Sequence, residues 1–343
     1  MAFSRCIASC LGFCLLFAVA AVAGEMFDIK PLADGVYAAI AKPTFRTNCN
    51  SIIVLLDDGV LVVDTESKPS AAQELIAFIQ GLTNKPVKYL VITHFHADHT
   101  QGAEAYLKVW PTAEIISSEA TRTSIVQRGT ARLQHESRAV PGQMELLESD
   151  LRTASSDPQR RAIEKNLREA DAYLAETKTM QIAIPTITVS RSLVLERASR
   201  TVQILWLGKA HTDGDLFVFL PQEKLLLTGD SLQSLTPTMR DSYPAEWIHT
   251  LDAAEKLDFD TVLGGHGDVI HGKATFDLWK QYFADLLQGA SNAYASGASL
   301  DETRRQLVPV LLAKYESRFP KRFSETIISN VEKAYRVAGG ATE

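Results

Sequence analysis

Cysteine is scarce in this chain. Four are present, and Cys6, Cys10 and Cys14 fall within an N-terminal segment that reads as removable. Without that segment only Cys49 remains, so no internal disulfide can form and stability must come from the core and from any bound metal. Free cysteine is usually buried filler, and Cys49, near a strand start, is read that way in preference to a nucleophile. Basic clusters are also lacking. The formal charge is −6 and no stretch forms a cationic stripe, so nothing is present to neutralise a phosphate backbone and nucleic acid is excluded as an expected partner. There is no internal repeat and no low-complexity linker. With 343 residues, 46% hydrophobic and 22% charged, the composition is globular and excludes disorder as the main state.

One long apolar run is present, at the start. Arg5 supplies a positive end, Ile7 to Val22 is apolar, and Ala21-Val22-Ala23 has the small residues of a cleavage site. Residues 1–23 are therefore expected to be an export signal cut before Gly24, placing the mature chain in the periplasm or outside the cell. The competing reading is an uncleaved anchor helix, because Cys6 to Gly24 is uncharged and nearly long enough to span a bilayer. With the signal cleaved, no stable membrane span is expected.

Past the signal the texture is that of a layered α/β domain, expected over residues 24–272. Gly35 to Ile40, Ser51 to Leu56 and Val60 to Val63 read as strands, the last two joined by a turn at Asp57-Asp58-Gly59. Ser70 to Leu82 carries helical spacing through Leu75, Ile76 and Ile79. Val87 to Thr93 is an apolar run expected to be buried on both faces. From 117 to 180 charges become dense, Asp157-Pro158 reads as a helix start with Asp157 as the cap and Pro158 at the first helical position, and Ile163, Leu167, Ala170 and Leu174 form one stripe. A helical hairpin inserted into the domain is expected there, as a roof over a site or as a solvated decoration. Strands return at Ile187 to Leu195, Val202 to Leu207, Leu216 to Leu220 and Lys224 to Thr228, and a C-terminal helical extension is expected over residues 273–343.

Chemistry concentrates in Thr93-His94-Phe95-His96-Ala97-Asp98-His99-Thr100, directly after the buried run. Alternation in an extended segment puts His94, His96 and Asp98 on one side. A turn after Ala97 would swing Asp98 and His99 toward a second point. Imidazole and carboxylate at this density suit zinc. Downstream, His211 follows Val202 to Leu207, Asp230 follows Lys224 to Leu227, and His266 follows Thr261-Val262-Leu263; upstream, Asp64 ends Val60 to Val63. Polar residues at the carboxyl ends of strands mark ligand sites in α/β sheets.

The series Asp64, His94-x-His96-x-Asp98-His99, His211, Asp230 and His266 resembles the motif series of the metallo-β-lactamase superfamily over roughly residues 30 to 270. The resemblance implies a four-layered αββα sandwich with a binuclear centre at one edge. It implies that His94, His96 and His211 hold one metal, Asp98, His99 and His266 a second, that Asp230 bridges them, and that Asp64 steadies the histidine loop. Two divalent ions sharing a hydroxide would supply a nucleophile at neutral pH, with Asp98 orienting it. The metals are expected to be two zinc ions, with iron or manganese as alternatives. An Asp at the bridging position is similar to glyoxalase II and lactonase relatives, which implies an ester, thioester or lactone-like small-molecule substrate. A class B β-lactamase and an iron oxidoreductase remain as alternatives. Gly229-Asp230-Ser231-Leu232 matches a serine-esterase string but lies too far downstream to act as one. His135, His249 and His271 fall outside the series and are expected not to ligate. Met239, Arg240, Tyr243 and Trp247 either line the pocket mouth or pack.

Overall fold

The computed structural model describes residues 24–46, 48–319 and 323–340. The expected export signal lies outside them. Among the described residues, no helix is long and apolar enough to cross a membrane.

Two sheets are built from the apolar runs. The first holds β1 (Phe27–Ala33), β2 (Val36–Ala41), β3 (Ser51–Leu55), β4 (Val60–Val63), β5 (Val87–Val91), β6 (Glu114–Ser118) and β7 (Ile187–Val189), in that spatial order. Strands β1 to β4 pair antiparallel and β4 to β7 parallel. The second sheet runs in reverse spatial order from β13 (Ile270–His271) through β12 (Thr261–Gly264), β11 (Leu225–Gly229), β10 (Leu216–Leu220) and β9 (Thr201–Trp206) to β8 (Ser192–Glu196). Its pairs are antiparallel except β11 with β12.

The sheets face each other through one apolar layer. Val54, Val63, Val91 and Ile116 from the first meet Ile204, Val218, Leu227 and Leu263 from the second. That is why these strands read as continuous hydrophobic runs: both faces are buried. Helices α1 (Pro69–Leu82) and α3 (Ala103–Val109) cover the outer face of the first sheet with Leu75, Ile79 and Tyr106. The outer face of the second is covered by α6 (Pro244–Ala254), α7 (Ala274–Ala295), α8 (Leu300–Tyr315) and α9 (Phe323–Ala338). Trp247, Trp279, Phe283, Tyr315 and Phe323 pack there with Phe217, Phe219, Leu226 and Val262. The result is the four-layered αββα sandwich, and the C-terminal helices complete its fourth layer.

A short α2 (Ala97–Thr100) follows β5, and the insertion is a hairpin of α4 (Glu119–Thr153) and α5 (Asp157–Thr177). The hairpin has its own small core of Leu133, Val140, Ala170, Tyr173 and Met180. Two local readings are corrected. Ile187 to Leu195 is not one strand: β7 closes the first sheet and β8 edges the second, with the crossing at Ser190 and Arg191. Both pieces are β-rich, so propensity cannot reveal the change of partner. The cap of α5 is Ser156, whose side chain accepts from the Gln159 amide, and Asp157 lies in the first turn.

Candidate metal centre

Topology gathers the polar strand ends. Strands β4 and β5 are parallel neighbours, and so are β11 and β12. Strands β9 and β11 are both antiparallel to β10, so they share a direction. The carboxyl ends of all five open on one edge of the sandwich. Asn50 ties that edge together: its amide donates to the Gly265 carbonyl at 2.6 Å, and its Nδ2 to the Gly264 and Gly267 carbonyls at 3.1 and 2.9 Å.

After β4 the chain turns through Asp64 and Glu66, which hold φ of 61° and 78°. Non-glycine residues persist in this region only where the surroundings over-determine them. The turn aims Asp64 at the histidine loop. Its Oδ1 accepts from the Thr93 amide at 2.8 Å, and its Oδ2 from the Thr93 hydroxyl at 2.8 Å and His99 Nδ1 at 2.7 Å. On the other side, Asp215 accepts from Thr212 N and Oγ1 at 2.8 and 2.7 Å, closing the loop that carries His211.

These hydrogen bonds fix the tautomers. A carbonyl or carboxylate only accepts. His211 Nδ1 must therefore donate to the Thr238 carbonyl at 3.1 Å, and His96 Nε2 to Asp241 Oδ2 at 2.8 Å. The Thr93 hydroxyl spends its proton on Asp64, so it accepts from His94 Nδ1 at 3.1 Å. The opposite nitrogens of all three neutral rings are then bare lone pairs, and they converge. His96 Nδ1 lies 3.0 Å from His94 Nε2 and 3.0 Å from His211 Nε2. Lone pairs repel at that separation unless a cation lies among them. Burial first, and neighbouring histidines next, hold His94 well below its ordinary pKa. Burial likewise brings His96 to about 4 and His211 to about 3. All three are neutral, as ligands must be.

A second group lies beside the first. His99 donates from Nδ1 to Asp64, and its Nε2 is buried without a hydrogen-bond partner. Asp98 Oδ2 is 3.5 Å from that nitrogen and 3.0 Å from His266 Nε2. Asp230 stands between the groups: its Oδ2 is 3.6 Å from His211 Nε2 and 3.6 Å from His266 Nε2, while its Oδ1 is 3.6 Å from His99 Nε2. That Oδ1 is also buried without a hydrogen-bond partner. Orphaned buried polar atoms are costly, and two facing one another fit a missing cation. Both triads, His94 with His96 and His211, and Asp98 with His99 and His266, have ligand atoms close enough to share one ion.

All seven expected ligands are thus brought together, in the groups that the resemblance implied. The expected turn after Ala97 is α2, which begins at Ala97 and carries Asp98 and His99 to the second group. Ser231 is fully buried beneath the site, which fits its exclusion as a nucleophile. Cys49 is also fully buried, and burial pushes its thiol pKa well up. His135, His249 and His271 are exposed and join no ligand group among the described residues. Trp247 and Met239 pack in the core, Trp247 with its ring 5.8 Å from that of His211. Sequence reading missed Asp241, Arg128 and Arg132. Asp241 orients His96, and Arg132 from α4 reaches Asp241 at 3.6 Å. No spacing signal marks them, because they come from separate loops and from the hairpin.

The metallo-beta-lactamase superfamily model matches residues 44–266. The chain belongs to that superfamily. The clustered His and Asp groups are candidate metal ligands of the kind the superfamily uses. Over 229 residues it is 24% identical to a linear primary-alkylsulfatase of a Pseudomonas species, covering 63% of this chain. The chain matches only 41% of that relative's length. Solved structures share the fold. A metallo-beta-lactamase from Pontibacter korlensis aligns with a TM-score of 0.55 at 15% identity, covering 75% of this chain and 99% of its own. One from Erythrobacter litoralis aligns with a TM-score of 0.54 at 15% identity, covering 76% of this chain and 100% of its own.

Asp64→Asn tests the support behind the superfamily's histidine loop. One carboxylate oxygen becomes an NH2 that cannot accept, so either the Thr93 amide or the Thr93 and His99 donors lose their partner. Metal affinity is expected to fall about 10- to 100-fold with the circular dichroism spectrum unchanged. Wild-type affinity in a chelator competition would remove Asp64 from the site's support.

Proposed function

We propose that the chain is an exported binuclear zinc hydrolase cleaving an ester, thioester or lactone-like carbonyl. The observation that carries this is the Asp230 carboxylate between two converging groups of candidate ligand atoms. In this reading His94, His96 and His211 hold one ion, and Asp98, His99 and His266 the other. Asp230 spans both, and Asp64 fixes His99 in the tautomer that leaves Nε2 free. When bound, two divalent ions supply Lewis acidity and a nucleophile at neutral pH. Asp98 is the more exposed of the two site carboxylates, at 26% against 9% for Asp230, and so is the one to orient the attacking group and meet the leaving group. Export rests on the apolar run ending in Ala21-Val22-Ala23.

A sulfate ester is the second reading, supported by the similarity to an alkylsulfatase. One panel separates them: elemental analysis of the mature protein, then hydrolysis of ester, thioester, lactone, alkyl sulfate and β-lactam substrates before and after chelation. Two zinc ions per chain and abolition of carbonyl cleavage by chelator are expected, with return on adding zinc. Cleavage that survives complete metal removal would overturn the metal mechanism. Turnover confined to alkyl sulfates would transfer the assignment to the second reading.

A further inference from the structure

The inserted hairpin brings arginines to the rim of the first ligand group. Arg128 and Arg132, one turn apart on α4, both lie over the ring of Phe95, with guanidinium carbons 4.6 and 5.1 Å from its centroid. Phe95 is the residue between His94 and His96, and its ring centroid is 4.9 Å from that of His96, which places these cations beside the first ligand group. The exposed Arg240 lies 3.3 Å from Asp241.

Two carboxylates, Asp241 and Glu136, face these three guanidinium groups. Asp241 Oδ2 receives the His96 proton at 2.8 Å, and Arg132 stands back at 3.6 Å. Glu136 lies 3.8 Å from Arg132 and accepts from Gln101 Nε2 at 3.2 Å. Neither carboxylate is within hydrogen-bond distance of Arg132, which makes no hydrogen bond among the described residues. Its side chain is 23% exposed. Arg128 gives one bond, to the Ser124 hydroxyl at 2.7 Å, and makes no ion pair among the described residues. Burial, then the nearby Arg240 charge, pull the Arg132 pKa down. Three guanidinium groups against two carboxylates leave an excess of one positive charge, and guanidinium donors held on an aromatic face suit an oxyanion.

We propose that Arg128, Arg132 and Arg240 form an oxyanion-binding subsite, so that the substrate of this hydrolase carries a sulfonate-, sulfate- or carboxylate-type group adjoining the scissile bond. The proposal rests on the metal centre argued above and narrows its substrate class to anions. The hairpin is thereby a specificity element. Phe95 offers its face to the cations from the backbone between two ligands, which fixes the distance between the anionic group and the reacting centre.

The test reads binding without turnover. Benzenesulfonate and its neutral analogue methyl phenyl sulfone are titrated calorimetrically into the metal-loaded protein, with metal content measured for every variant. Benzenesulfonate is expected to bind at least about tenfold tighter than the sulfone. Arg128→Gln should lose about tenfold for the sulfonate and nothing for the sulfone, while Arg128→Lys retains most of the affinity. Adding Arg132→Gln should deepen the loss to about a hundredfold. Equal affinity for the two probes, or unchanged sulfonate binding in Arg128→Gln with both metals retained, would overturn the subsite. A protein that shows the charge preference but cleaves no ester keeps the subsite and loses the carbonyl reading. One that cleaves esters with no charge preference does the reverse.

Discussion

Asp230→Ala should leave a folded protein with one metal equivalent in place of two and kcat/KM lowered by at least about 100-fold, the upper range for disturbing mere outer partners of a metal ligand. The carboxylate is the group within 3.6 Å of nitrogens from both triads, so no neighbour can substitute for it. Its Oδ1 makes no protein hydrogen bond, so truncation leaves no donor on that oxygen stranded and the fold has little to lose. Elemental analysis, calorimetric unfolding and steady-state kinetics on one preparation decide the matter. Two retained metals with an undiminished rate would sink the bridging role.

Gly265→Ala should be nearly as damaging although it removes nothing. A Cβ there would lie 2.2 Å from Asp230 Oδ1 and 2.8 Å from His99 Cε1. The Gly265 backbone cannot retreat, because its amide donates to the Gly229 carbonyl at 2.7 Å and its carbonyl accepts from the Asn50 amide at 2.6 Å. The added methyl must turn the carboxylate away from one of its triads. Activity is expected to fall toward that of Asp230→Ala, with a stability cost of about 1–3 kcal/mol for overpacking. Gly81→Ala is the control, since a Cβ there meets nothing within 4 Å. It should be neutral or stabilising by about 0.5–1 kcal/mol in a helix. Wild-type activity in Gly265→Ala would show that the carboxylate can move without consequence.

The sequence exposes what the strands impose and hides what loops bring together by chance of distance. Runs such as Leu216 to Leu220 are legible because both faces are buried, and each ligand stands just past such a run. That makes the seven candidate ligands, and Asp64 behind them, readable without coordinates. The crossing of β7 to β8 between sheets is not readable, because strand propensity carries no partner information. Asp241 is hidden for a different reason. It lies 145 residues from His96, in a loop with no periodicity, and only tertiary packing brings it near. The arginines of α4 look like the solvated face of a charged helix until Phe95 is seen beneath them.

The two ligand triads each take members from both halves of the chain. His94 and His96 follow the first sheet and His211 the second; Asp98 and His99 follow the first and His266 the second. Direct bonds already join that edge: those of Asn50, the Leu216 amide to the Thr93 carbonyl at 2.9 Å, His96 to Asp241, and the Ser118 hydroxyl to the Gly214 carbonyl at 2.6 Å. A metal centre there is one more clasp over the seam. Ions that bound only the closed sandwich would add their binding free energy to its stability, so metal binding would be coupled to closure of the two halves.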